Sequence, residues 1–173
     1  MSAPVTPAFS LVDHDGQPVT ERSYWGRWQL VFFGFTHCRA TCPRALQRLS
    51  ATLDDLGELA GKVSPLYVTV DPDRDTPEVM KEFLRAYPHF TGLTGPTEAV
   101  EEAKQSFRVF ARRRADPDDP DGYAVPHTAI TYLVSPEGEY TEHFPDAISG
   151  EELTARLRAY LVGGSAVSLA NVR

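Results

Sequence analysis

Apolar residues recur with a period that changes several times between the two ends of the sequence, and each change predicts an element. Residues 29–35 (Gln-Leu-Val-Phe-Phe-Gly-Phe) are almost continuously apolar, as in a strand covered on both faces. Leu46, Leu49, Leu53, Leu56 and Leu59 then recur every three or four positions, which places them on one face of a helix. Pro43 opens that helix, because a first-turn proline loses no hydrogen bond. A second strand is expected at 66–70 (Leu-Tyr-Val-Thr-Val). After a turn through Asp71-Pro72-Asp73-Arg74-Asp75, Thr76 and Pro77 supply an N-cap and a first-turn proline. The helix they open carries Val79, Met80, Phe83, Leu84 and Tyr87. A third helix is expected over 97–107, followed by a charged loop over 112–123 and a strand over 128–134. Ser135-Pro136-Glu137-Gly138 turns into a second hairpin arm at 139–144. Ser149 and Glu152 form a capping box for a last helix carrying Leu153, Leu157, Tyr160 and Leu161. Residues 1–27 read as an extended lead-in, with a hairpin turning at Asp13-His14-Asp15-Gly16.

This order predicts an α/β protein with a central mixed sheet flanked by helices. A strand, a cysteine loop and a proline-started helix in direct succession suggest the thioredoxin-like architecture, here with an N-terminal β-hairpin extension. One domain over 1–162 is expected, with a flexible tail over 163–173. The 173 residues are 42% hydrophobic, enough for a substantial core and against disorder. The net charge is −7, and the only basic cluster, Arg112-Arg113-Arg114, runs directly into Asp116, Asp118, Asp119 and Asp121. Nucleic acid is therefore not an expected partner. No apolar run reaches the roughly 18–20 residues that span a bilayer. Met1-Ser2-Ala3-Pro4 does not begin a signal peptide, so the chain is either cytosolic or lacks a targeting or anchoring segment.

The chemistry concentrates at Cys38-Arg39-Ala40-Thr41-Cys42, which holds both cysteines of the chain. Two thiols alone are no disulfide framework for a small fold. At a helix start, the unpaired amides of the first turn favour thiolate over thiol. Two sulfurs four positions apart can close as a disulfide or converge on one metal ion. They could also be a pair of small buried hydrophobes. The C-x₃-C loop is wider than that of C-x₂-C oxidoreductases, and on spacing alone the redox and metal readings stay level. A third ligand would separate them, since two thiolates and an imidazole suit Cu(I). The histidines are His14, His37, His89, His127 and His143. His37 adjoins Cys38, but neighbours on an extended strand point to opposite faces. His127 opens a predicted strand after the charged loop, where a side chain could reach across a sheet end. Periodicity does not raise it above the others.

The segment Phe32-Phe33-Gly34-Phe35-Thr36-His37-Cys38-Arg39-Ala40-Thr41-Cys42-Pro43 resembles the Sco/SenC family of copper-binding cytochrome c oxidase assembly factors. So do Val70-Asp71-Pro72-Asp73-Arg74-Asp75-Thr76-Pro77 and, more weakly, Tyr123-Ala124-Val125-Pro126-His127-Thr128. The similarity runs from about Phe9 to Leu161. It implies a thioredoxin-like fold in which Cys38, Cys42 and His127 bind copper, as Cu(I) or Cu(II), and Cys38 and Cys42 form a redox-active pair. It further implies an extracytoplasmic or periplasmic domain, anchored by an N-terminal segment outside this chain and expected to be monomeric. Its partner would be the copper A subunit of cytochrome c oxidase or another copper or thiol client. Family members usually carry proline after the first cysteine, often followed by an acidic residue, and aspartate before the histidine. This chain has Arg39, Ala40 and Pro126 there. A guanidinium beside the site favours thiolate but opposes a cationic metal, and the absent carboxylates remove compensating charge.

The leading expectation is a copper metallochaperone whose ligand thiols are controlled by thiol–disulfide exchange. The alternative is a thiol–disulfide oxidoreductase that reduces client cysteines without copper. A peroxidase fits less well, because the peroxiredoxin pattern P-x₃-T-x₂-C is absent around Thr36 and Cys38. An interaction module with an idle site is the fourth reading. The 71–77 segment also has a purely structural reading, as a strand-ending turn and helix cap. Its functional reading is a rim that meets a partner near the copper site. Tyr24, Trp25 and Trp28 are expected to pack beneath the cysteine loop.

Overall fold

The computed structural model describes residues 6–37, 41–111, 114–115, 117, 123–124 and 130–163, with the backbone alone at Thr41, Cys42, Tyr123 and Ala124. The expected tail over 163–173 lies, beyond Gly163, outside them. The strands are β1 (Ser10–Asp13), β2 (Pro18–Thr20), β3 (Trp28–Gly34), β4 (Val63–Thr69), β5 (Thr91–Thr94), β6 (Arg114–Ala115), β7 (Tyr123–Ala124), β8 (Ile130–Val134) and β9 (Tyr140–Pro145). The helices are α1 (Thr41–Leu56), α2 (Pro77–Phe83), α3 (Thr97–Phe107) and α4 (Gly150–Gly163). Among the described residues, seven strands form one mixed sheet in the order β2-β1-β5-β4-β3-β8-β9. Strands β3, β4 and β5 run parallel, whereas β1, β8 and β9 pair antiparallel with their neighbours. This is the mixed α/β, thioredoxin-like arrangement that the sequence predicts.

Strand β3 separates the core into two layers. Trp28, Leu30 and Phe32 face a layer with Leu46, Leu49 and Leu53 of α1, Met80 of α2 and Leu153 and Leu157 of α4. Val31 and Phe33 face the other, with Leu11, Leu93 and α3's Val100, Ala103 and Phe107. Every residue of β3 is buried, as its unbroken apolar run requires: alternate side chains point to opposite faces, and helices cover both. The N-terminal hairpin forms as expected. Asp13 Oδ1 accepts from the amides of Asp15 (2.9 Å) and Gln17 (3.0 Å), and Gly16 turns the chain at φ +85°.

Several elements differ from the sequence reading. α1 begins two residues before Pro43, which therefore sits inside its first turn. It stops at Leu56 because Gly57 adopts φ +60°. Leu59 consequently lies in the 3₁₀ segment Gly57–Lys62 while still packing on the core. β4 starts at Val63, three residues earlier than expected, and contains Pro65. Val70 donates to Gly34 across the β3–β4 seam. Alternation then turns Pro65 toward β5, whose ladder begins only at Leu66, so the missing N–H breaks no pairing. Strand β5 has no counterpart in the sequence pattern. The ends of the charged loop also pair, Arg114 with Ala124 and Ala115 with Tyr123.

Trp28 opens β3, and Tyr24 and Trp25 precede it, so all three belong to the strand end opposite Gly34, whereas the sequence reading places them beneath the cysteine loop. Trp28 starts the strand whose far end leads to that loop, and it packs on Tyr160 at 5.4 Å between ring centroids. Trp25 is 49% exposed, sits against Gly138 and lies beneath the Arg22 guanidinium. Tyr24 lies 6.4 Å from Phe9.

Candidate functional site

Strand β3 delivers the chain to the cysteine loop, and its last residues are fixed one after another from the β4 side. The Val70 amide donates to the Gly34 carbonyl at 2.8 Å. The Tyr67 hydroxyl donates to the Phe35 carbonyl at 3.1 Å. Thr36 donates twice to Asp75, through its amide to Oδ2 at 3.1 Å and through its hydroxyl to Oδ1 at 2.6 Å. Thr69 completes the set, its hydroxyl donating to Asp75 Oδ2 at 2.7 Å. Asp75 has no exposed surface. Burial pushes its carboxyl above the ordinary carboxylate value, against the opposing pull of the Thr36 and Thr69 donors.

The rest of the 71–77 segment holds Asp75 in place. The amides of Arg74 and Asp75 donate to the Asp71 carbonyl at 3.2 and 3.0 Å. The Asp71 amide donates to Thr69 Oγ1 at 2.8 Å. Arg74 donates through Nε to the Asp71 carboxylate and lies over the Phe35 ring at 5.9 Å. Thr94 Oγ1 donates to the Asp75 carbonyl at 2.6 Å. The structural reading of this segment holds: the chain turns here, and Thr76 caps α2 by accepting from the Val79 amide at 3.2 Å. The sequence reading missed Asp75 as the tie to the cysteine loop. Its partner Thr36 is 39 positions away, and nothing local distinguishes it from an ordinary turn aspartate.

On the other side of the loop, Cys42 lies in the first turn of α1, where backbone amides lack intrahelical acceptors. That end of α1 is braced by Arg44, which donates to Asp146 Oδ2 at 2.8 Å, and by Arg48, which donates to the Asp146 carbonyl at 2.7 Å. Cys38, Arg39, Ala40, Pro126 and His127 lie outside the described residues, as does the Cys42 side chain. Among the described residues no cluster of three or more His, Cys, Asp or Glu side chains is arranged to hold a metal.

Three of the other histidines are engaged elsewhere. His14 Nδ1 accepts from the Gly92 amide at 2.9 Å, His89 pairs with Asp54 at 2.7 Å, and His143 bonds Tyr140. His37 Nδ1 lies 3.3 Å from Thr36 Oγ1. The β3–β8 register, Gln29 opposite Val134 through Phe32 opposite Thr131, puts the start of β8 beside the end of β3. Ile130, the first residue of β8, therefore stands at the same end of the sheet as Gly34, the last residue of β3. Two thiols at a helix mouth could exchange with a disulfide or bind a soft metal.

A mixed sheet whose central strand runs into a cysteine loop and a helix N-terminus defines a thioredoxin-like protein with a thiol site. Within that class, the SCO1/SenC family model matches residues 1–162, and the chain belongs to this family. Protein sco1 of Schizosaccharomyces pombe is 38% identical over 157 residues, covering 88% of this chain and 59% of the yeast protein. The chain thus spans little more than half the length of this curated relative. Copper-bound ScoI of Arabidopsis thaliana superposes with a TM-score of 0.86 at 33% identity, over 91% of this chain and 98% of the plant one. Copper-bound ScoI of Bradyrhizobium japonicum gives 0.82 at 36% identity, over 90% and 99%. Among the described residues, no helix is long and apolar enough to cross a membrane.

Proposed function

We propose that this chain is a copper metallochaperone in which Cys38, Cys42 and His127 hold the ion as cargo. The observation that supports the reading is the antiparallel β3–β8 pairing, which puts Ile130, three positions after His127, at the same sheet end as Gly34, four positions before Cys38. The copper-bound ScoI relatives support copper as the cargo, as does the affinity of soft sulfur-rich sites for Cu(I). The recipient is the copper A subunit of cytochrome c oxidase, the partner that the family resemblance implies. The working unit is the 1–162 domain, acting as a monomer on the extracytoplasmic side of a membrane, with an N-terminal anchor outside this chain.

Release is coupled to sulfur chemistry. A client disulfide accepts two electrons from the Cys38 and Cys42 thiolates, and the client becomes a dithiol as the chain's own disulfide forms. A disulfide is no dithiolate ligand, so the copper is freed. Arg39 beside the first cysteine favours the thiolate state that both binding and exchange require.

Titration of Cu(I) and Cu(II) into reduced protein tests the proposal. One ion per chain is expected, and it is lost when Cys38→Ser and His127→Ala are combined. Copper stoichiometry unchanged in that double variant overturns the reading. A copper-free reductase would instead reduce client disulfides at the same rate after His127→Ala.

A further inference from the structure

We infer that Asp75 is a positioning residue for the cysteine pair, acting through Thr36 to preset the backbone that leads into Cys38. The inference rests on the proposed thiolate–imidazole site and adds a residue that touches neither the ion nor the sulfurs. Its basis is the convergence of donors on one buried carboxylate. Thr36 contributes both its amide and its hydroxyl, while Thr69 contributes a hydroxyl from the end of β4. Asp75 is itself held through its amide by Asp71 and through its carbonyl by Thr94 of β5. The carboxylate thus ties the end of β4 to Thr36, two positions before the first cysteine, and the Asp75 carbonyl adds an anchor on β5.

A helix cap or a tight turn does not need this arrangement. Thr76, not Asp75, caps α2, and the turn closes on the Asp71 carbonyl. The Asp75 side chain instead points across the seam at the β3 terminus. There it accepts from both the amide and the hydroxyl of Thr36, holding the chain as it leaves β3. Cys42 stands on a helix braced separately by Asp146. The spacing between the sulfurs then depends on how firmly the Cys38 side of the loop is held, and Asp75 does that holding.

The test compares the full chain with its Asp75→Ala, Asp75→Asn and Thr36→Val variants in two measurements. The first is Cu(I) affinity by competition with a chromophoric chelator. Asp75→Ala should weaken it by about 10–100-fold, the usual cost of losing an outer support of a metal ligand. Asp75→Asn keeps an oxygen for the Thr36 amide and offers an amide to its hydroxyl, so it should fall between Asp75→Ala and the parent. The second is the disulfide fraction of the cysteine pair in glutathione buffers, without copper. A loosened loop should give a smaller disulfide fraction at the same glutathione ratio.

A merely structural role would lower the melting temperature and leave both readings of the folded protein at parental values; that result overturns the inference. Should Asp75→Ala not fold, Thr36→Val decides the matter, since it removes one hydroxyl and keeps the Thr69–Asp75 bond. Parental values for Thr36→Val in both measurements overturn the inference equally. If the parent itself binds no Cu(I), the metallochaperone reading fails, and the glutathione measurement still judges Asp75.

Discussion

Asp75 combines complete burial with an ionisable side chain, and its environment sets the sign of its pH dependence. Burial raises its pKa in the folded protein. In the window between the unfolded and folded values, the folded state therefore holds more protons. Its contribution to stability is full below the unfolded value and is lost as pH rises through the folded one. Denaturation of copper-free parent and Asp75→Asn across this window should show the parent losing stability relative to the variant as pH increases. A parent that gains on the variant over the same range contradicts the assignment. The two cysteines stand out in the sequence because no others exist and because a first-turn proline follows them. Asp75 does not stand out, because the threonine that gives it a purpose is brought near only by strand pairing.

Helices were more legible than strands, for a physical reason. A helix is specified by contacts three and four positions apart, so Leu46, Leu49 and Leu53 announce α1, and the α3 span of 97–107 matches the expectation. Strand β5 has four residues, too few for a period to register, and depends on neighbours distant in sequence. Gly92 within it shows what the alignment with α2 demands. A Cβ there would lie 2.9 Å from Leu84 Cδ1 and 3.1 Å from Met80 Cβ. Gly92→Ala is thus expected to lower unfolding stability by about 1–3 kcal/mol, the range for overpacking a core, as read from a denaturant midpoint. An unchanged midpoint would mean that α2 does not rest on β5 this closely. On the opposite face, Phe107 fastens α3 through edge contacts with Phe33 (5.4 Å) and Tyr132 (5.2 Å). Phe107→Ala should cost about 3–5 kcal/mol, because the fully buried ring leaves a cavity. A loss below 1 kcal/mol would be incompatible with that packing.

The fold class was readable from the order of elements, because a strand buried on both faces requires helices on both sides. The candidate site was readable only in part. Its sulfurs are local in sequence, whereas the imidazole assigned to them lies 85 positions beyond Cys42. Residue type and spacing could not choose among five histidines, and the resemblance supplied the choice of His127. The fold adds a constraint that periodicity lacks: β8 pairs antiparallel with β3, so a late segment returns to the strand end that launches the cysteine loop. His14, His89 and His143 meanwhile serve contacts of their own.

X-ray absorption at the copper edge of the Cu(I)-loaded protein tests this union of early sulfurs and a late imidazole most directly. Two sulfur scatterers and one imidazole are predicted, with the imidazole signal abolished by His127→Ala and sulfur scattering diminished by Cys38→Ser or Cys42→Ser. An imidazole signal that survives His127→Ala, or copper held without sulfur, would contradict the account.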